Sequence, residues 1–164
     1  MSQDSTASAT DDSQVVVFPP VIPVSGFLLG LALERLYPLD HWVSASSRAG
    51  SRGLGAALFL VGAAGFVWMV RTMKTVGTPI NNSRPPTALV ESGPFKRTRN
   101  PMYLFGSIAY AGLALIFIEP WSLALLPVVL AVTQYGVVLR EEASLAHRFG
   151  EAYREYKARV PRWL

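Results

Sequence analysis

The sequence predicts an all-α integral membrane protein in which four transmembrane helices precede a C-terminal amphipathic helix, with both termini in the cytoplasm. Three observations carry this reading. The 164 residues are 51% hydrophobic and only 16% charged, with a mean hydropathy of +0.30, which is more apolar than an ordinary soluble domain. Four runs lack Asp, Glu, Lys and Arg, at 13–33, 53–70, 100–118 and 120–139. Each is close to the ~20 residues that carry a helix across ~30 Å of hydrocarbon. Most of the fifteen Lys and Arg residues then fall on one side of a four-span arrangement, and the positive-inside rule makes that side cytoplasmic.

The elements follow in order. Residues 1–14 are rich in Ser, Thr and Asp and are expected to be a disordered tail. Asp4, Asp11 and Asp12 stand where a signal peptide would need basic residues. Two membrane helices occupy 15–74. Pro19, Pro20 and Pro23 push the start of the first to about Val21, from where it runs toward Leu36. Gly26 and Gly30 form a small-xxx-small pair, and Gly55, Gly62 and Gly65 give the second helix a slim face; both patterns predict close helix packing. Trp42 and Trp121 fall near span ends, where amphipathic rings favour the interface.

Residues 75–164 are expected to form a functional core: a cytoplasmic loop, two more spans and the amphipathic helix. The loop, about 75–98, is long for a helix connection. Pro79, Pro85, Pro86 and Pro94 stiffen it, and Leu89, Val90 and Phe95 give it something to bury, so an ordered lid is expected. Its last part carries Lys96, Arg97 and Arg99 up to Asn100-Pro101. Pro suits the first helical turn and Asn the N-cap. A helix N-terminus with arginines ahead of it suits an anion. The plainer use of these cations is to bind lipid headgroups and fix topology.

Past the fourth span comes Arg140-Glu141-Glu142, followed by Leu145, Phe149, Ala152, Tyr153 and Tyr156 at three- and four-residue spacing, an amphipathic helix with a basic face. Adjacent glutamates point about 100° apart on a helix, so at least one faces the bundle and the cations of the loop. Ionisable residues at such a boundary are functional candidates. A cationic helix start and a carboxylate pair at one membrane face could hold a zwitterionic soluble ligand, with a lipophilic second ligand arriving from the bilayer. The chain has no cysteine, which excludes disulfides, thiolate metal sites, a cysteine nucleophile and lipidation on cysteine. Neither a metal nor a nucleic-acid partner is expected.

Several pieces in order carry a resemblance: Gly93-Pro94-Phe95-Lys96, Arg99-Asn100-Pro101-Met102-Tyr103-Leu104, two spans, Glu141-Glu142, Phe149-Gly150, Tyr153, Tyr156 and Val160-Pro161. Over about 77–164 the chain resembles the isoprenylcysteine carboxyl methyltransferases, in particular their small bacterial members, and the related phospholipid N-methyltransferases. The resemblance implies a membrane methyltransferase that uses S-adenosylmethionine without a Rossmann domain. Its site would face the cytoplasm from a bacterial inner membrane, and its acceptor would be lipophilic or amphiphilic.

It further implies that Gly93, Pro94, Phe95, Arg99, Asn100, Tyr103, Leu104, Glu141 and Glu142 bind the cofactor, and that Arg140 and Glu141 serve the reaction, Arg140 by orienting an acceptor carboxylate. Two departures stand out. Asn100 occupies a position where many members have His. Phe105 stands where Gly is expected, with Gly106 one place later, and its ring would narrow the pocket. The rival readings are a sterol-type membrane reductase using NADPH, a non-catalytic membrane protein that binds a lipid or small ligand, and a methyltransferase fold without activity.

Overall fold

The computed structural model describes residues 21–39, 44–78 and 87–164. The expected disordered tail, Trp42 and the centre of the long loop lie outside these residues. Five α-helices follow one another: α1 Val21–Leu36, α2 Ala45–Val76, α3 Pro101–Phe117, α4 Pro120–Thr133 and α5 Leu139–Arg159. A 3₁₀ turn, Gly93–Lys96, precedes α3, and a π-helical turn, Gln134–Val138, joins α4 to α5. The described residues contain no strand.

Among the described residues two helical stretches are long and apolar enough to cross a membrane, Ser47–Val76 and Pro120–Arg159, and α3 is a shorter apolar helix. The second helix therefore extends well beyond the expected run at 53–70. Charges at 48, 52, 71 and 74 end the apolar part but not the helix, because Arg and Lys are good helix formers. Ser44 caps its start by accepting from Ser47 N. Gly77, at φ 74, closes its end in the left-handed conformation, where glycine avoids the Cβ penalty.

Helices α2 and α3 share the largest interface, and α1 packs on α4. Glycine makes both possible. A Cβ on Gly62 would fall 2.6 Å from Ala109 N and 2.7 Å from Phe105 O, and one on Gly55 would fall 2.7 Å from Gly112 O. Hydrogens in place of side chains let the two backbones touch. On the other interface Gly26 admits Val129 and Gly30 admits Ser122. Tyr110 ties α3 to α4 by donating to Ser122 O at 2.9 Å, and its ring meets Phe27 of α1 edge-on at 5.5 Å. The faces turned outward keep Leu60, Val67, Trp68, Val128 and Val132 exposed, as expected where lipid is the solvent.

The expected fourth span and the amphipathic helix are not separate elements. The π turn carries α4 into α5 as one helical run. The amphipathic part then breaks at Gly150, whose φ 52 and ψ −120 are not helical. Beyond the break Tyr153, Tyr156 and Val160 are buried, with Leu89, Leu145 and Phe149 packed on them. Ala152, expected on that apolar face, is exposed, because the face runs through 149, 153, 156 and 160 at helical spacing and 152 falls at its edge.

Candidate active site

The site lies where the start of α3, the start of α5 and the end of the chain converge. The 3₁₀ turn sets the approach. Gly93 has φ 58, and a Cβ there would run into Thr72 of α2, so only glycine lets the turn lie against that helix. Pro94 is fully buried. From Phe95 the backbone carbonyl accepts the Tyr156 hydroxyl at 2.8 Å, which joins the turn to α5.

At the centre is a buried ion pair. Arg99 Nη1 lies 3.0 Å from Glu142 Oε1, with side chains 7% and 8% exposed. Arg99 Nη1 also donates to the Tyr153 hydroxyl at 3.3 Å. Arg162 grips the same carboxylate in a fork, Nε to Oε1 and Nη2 to Oε2, both 2.9 Å. Burial pushes the Glu142 carboxyl up, but the Arg162 hydrogen bonds and the charges of Arg99, Arg162 and Lys157 outweigh it and hold the group below its ordinary value. Burial pushes Tyr153 and Tyr156 above the ordinary phenol value.

One carboxylate thus serves two guanidinium groups, and the cluster is left with an excess of positive charge at the start of α3. Among the described residues Arg99 Nε is buried and has no hydrogen-bond partner, which is costly unless something accepts from it. Glu141 is half-buried and accepts from Tyr103 OH at 2.9 Å.

Asn100 is at the expected cap position, and its carbonyl accepts from Leu104 N at 3.1 Å. Its side chain makes no cap bond, contrary to the expectation. It donates instead to Arg162 O at 3.1 Å, because the chain end places a carbonyl within its reach. Tyr103 packs with Val137 and Val138 of the π turn. Leu104 is half-buried on α3. Arg140 is exposed, and no hydrogen bond or ion pair draws it into the cluster among the described residues. The Phe105 ring lies against Gly65 of α2, so it fills a notch between two helices.

Sequence reasoning missed Arg162, Trp163, Thr98 and Gln134. Arg162 O also accepts from Thr98 Oγ1 at 3.1 Å, and Trp163 Nε1 donates to Gln134 Oε1 at 3.0 Å. A faint signal existed: Val160-Pro161 ends a helix, and an Arg-Trp pair follows it. A separate groove of about 440 Å³ lies on the outer face of α2, lined by Leu60, Ala63, Ala64, Val67, Trp68 and Arg71; none of these belongs to the ion-pair cluster.

The family model for phospholipid methyltransferases matches residues 51–152. The chain belongs to the phospholipid methyltransferase family. Within that group of membrane methyltransferases stand the isoprenylcysteine carboxyl methyltransferase-like proteins, so the family resemblance read from the sequence holds. The matched span of this phospholipid methyltransferase family member holds Arg99, Asn100, Tyr103, Glu141 and Glu142 but stops short of Tyr153, Tyr156 and Arg162. Neither the curated proteins nor the solved structures yield a match to the chain.

Proposed function

We propose that this chain is an S-adenosylmethionine-dependent methyltransferase of the membrane, acting on a lipophilic or amphiphilic acceptor, with its site at the cytoplasmic face of four spans. The observation that carries the reading is the buried Arg99–Glu142 pair at the start of α3, with Arg99 Nε left over, inside a methyltransferase family match. An amino-acid end needs one acceptor and one donor a few ångströms apart. Arg99 Nε and the α3 N-terminus suit its carboxylate, and Glu142 suits its ammonium. When bound, the cofactor supplies a methyl group activated by a sulfonium.

The protein's own part is positional. Gly93, Pro94 and Phe95 form a rigid wall tied down by Tyr156. Tyr103 holds Glu141, which in this reading steadies the polar group of the acceptor. Arg140, exposed beside them, would meet an acceptor's anionic group at the surface. Holding two reactants in line and excluding water is most of what a methyl transfer needs. The exposed apolar residues on α1, α2 and α4 support a bilayer setting, and the basic residues around the site support a cytoplasmic orientation.

The test is calorimetry on the purified, detergent-solubilised chain with S-adenosylmethionine and its demethylated product, and NADPH in parallel. Saturable binding of the demethylated product, weakened at least about tenfold in Arg99→Gln, is the expected result. Binding of NADPH alone would favour the reductase reading. Binding of none of the three by folded protein would leave a lipid-binding role.

A further inference from the structure

The chain does not trail away from the site. After Arg159 the backbone turns extended at Val160, φ −120 and ψ 126, and Val160 itself is buried. Residues 160–163 then run back across the start of α3 as a strap. Its carbonyls do much of the holding: Pro161 O accepts from Arg99 N at 3.0 Å, and Arg162 O takes both Thr98 Oγ1 and Asn100 Nδ2. The Arg162 guanidinium grips Glu142, and Trp163 anchors on Gln134 of the π turn. Six hydrogen bonds therefore lie between the strap and three separate pieces of the site.

The two cations on Glu142 are not equivalent. Arg99 is sealed in, 7% exposed. The Arg162 side chain is 32% exposed and sits on the backbone past the end of α5, which no helix restrains. Water can take Arg162 at modest cost, and the Glu142 left behind keeps Arg99 as its counter-ion, so no bare charge is buried. One displacement of the strap would uncover both ends of the site together. It frees Glu142 oxygens for a ligand cation, and it frees Asn100 Nδ2 and the α3 start for a ligand anion.

We propose that residues 160–163 are a gate displaced by ligand, in which Arg162 is the resident cation of Glu142 and yields to the cationic amino group of an amino-acid-type ligand. This rests on the cofactor reading above and assigns that site a specific way of opening. Cation replaces cation on Glu142, so that carboxylate keeps two cationic partners through the exchange. The gate also selects: a ligand lacking a cationic group cannot take the place of Arg162 and meets a closed strap.

The experiment uses the full chain in detergent, Arg162→Gln, and a second variant ending after Pro161, with the demethylated cofactor product as probe. Hydrogen exchange read by mass spectrometry follows 160–164 and the Arg99 amide, and calorimetry gives affinities. The expected result is that the probe speeds exchange over 160–164 in the unaltered chain. Arg162→Gln should show that faster exchange without ligand, the shortened chain should show faster exchange at the Arg99 amide, and both should bind the probe about three- to tenfold tighter, since they no longer carry the cost of opening. Slower exchange over 160–164 on binding, or equal or weaker binding by both variants, would overturn the gate while leaving the methyltransferase reading intact. Failure of all three folded proteins to bind the probe would overturn both.

Discussion

Glu142 and Arg162 stand 20 residues apart in the chain and meet through two hydrogen bonds of 2.9 Å each, while Arg99 shares the same Oε1 at 3.0 Å. The folded carboxyl lies below its ordinary value of 4.5. A depressed carboxyl contributes stability that is present above the unfolded value and lost as pH falls through the folded one. The thermal midpoint of the chain should therefore hold near neutral pH and fall progressively below about pH 4.5. Glu142→Gln should lose about 3–5 kcal/mol at neutral pH, since it leaves Arg99 buried without its counter-ion. It should also flatten the acid limb. Thermal unfolding followed by circular dichroism across pH checks both.

Tyr153 and Tyr156 make the opposite prediction on the alkaline side. Both phenols are raised above 10.0, first by burial. A phenol kept neutral in the fold contributes stability below the unfolded value, and that contribution is lost as pH rises toward the folded one. Spectrophotometric titration should find these two tyrosines ionising above the ordinary phenol value. Tyr156→Phe, which strips the Phe95 carbonyl of its donor, should cost about 1–3 kcal/mol and speed amide exchange in Gly93–Lys96.

The α2–α3 contact gives a paired test. Gly62→Leu forces side-chain atoms where Ala109 and Phe105 backbone already sit and should cost about 1–3 kcal/mol. Gly53→Ala, on the same helix with nothing within 4 Å of the added carbon, should gain about 0.5–1 kcal/mol. Melting temperatures in one detergent compare them directly.

Gly150 is the third point of stress. Alanine at φ 52 and ψ −120 should cost about 1–3 kcal/mol. Straightening the helix there would carry Tyr153 away from Arg99 and Tyr156 away from Phe95. Gly150→Ala should thus weaken binding of the demethylated cofactor product as well as stability, whereas Gly53→Ala should leave binding unchanged.

Much of this was legible in the chain. The helix read from about Val21 toward Leu36 is present over those residues as α1, and the glycine spacing marked which faces of α1 and α2 come closest to their neighbours. Two adjacent glutamates had to diverge, and Glu142 is the one turned inward. What stayed hidden was non-local. Asn100 reads as a cap because cap propensity is local, but its partner is Arg162 O, 62 residues away. Arg162 looks like one more tail cation until the strap is seen. The π turn has only a polar Gln134 in an apolar run to announce it, and the Phe105 ring meets Gly65 of α2, a neighbour far away in the chain. Gly150 stood within a recognisable motif, yet nothing local said that the helix would break there.

The π turn at Gln134–Val138 means that a single rod, 120–149, within a stretch long and apolar enough to cross a membrane, also holds up the acidic pair. Each residue added to that rod below the turn would lift Glu142 by about 1.5 Å and swing it by about 100°, out of reach of Arg99. A π turn is itself one residue of slack in an α-helical register. Losing one residue between 134 and 138 could restore the α repeat while one gained in α4 kept the overall count, so the turn acts as a vernier that sets the azimuth of the site independently of the thickness the rod must span.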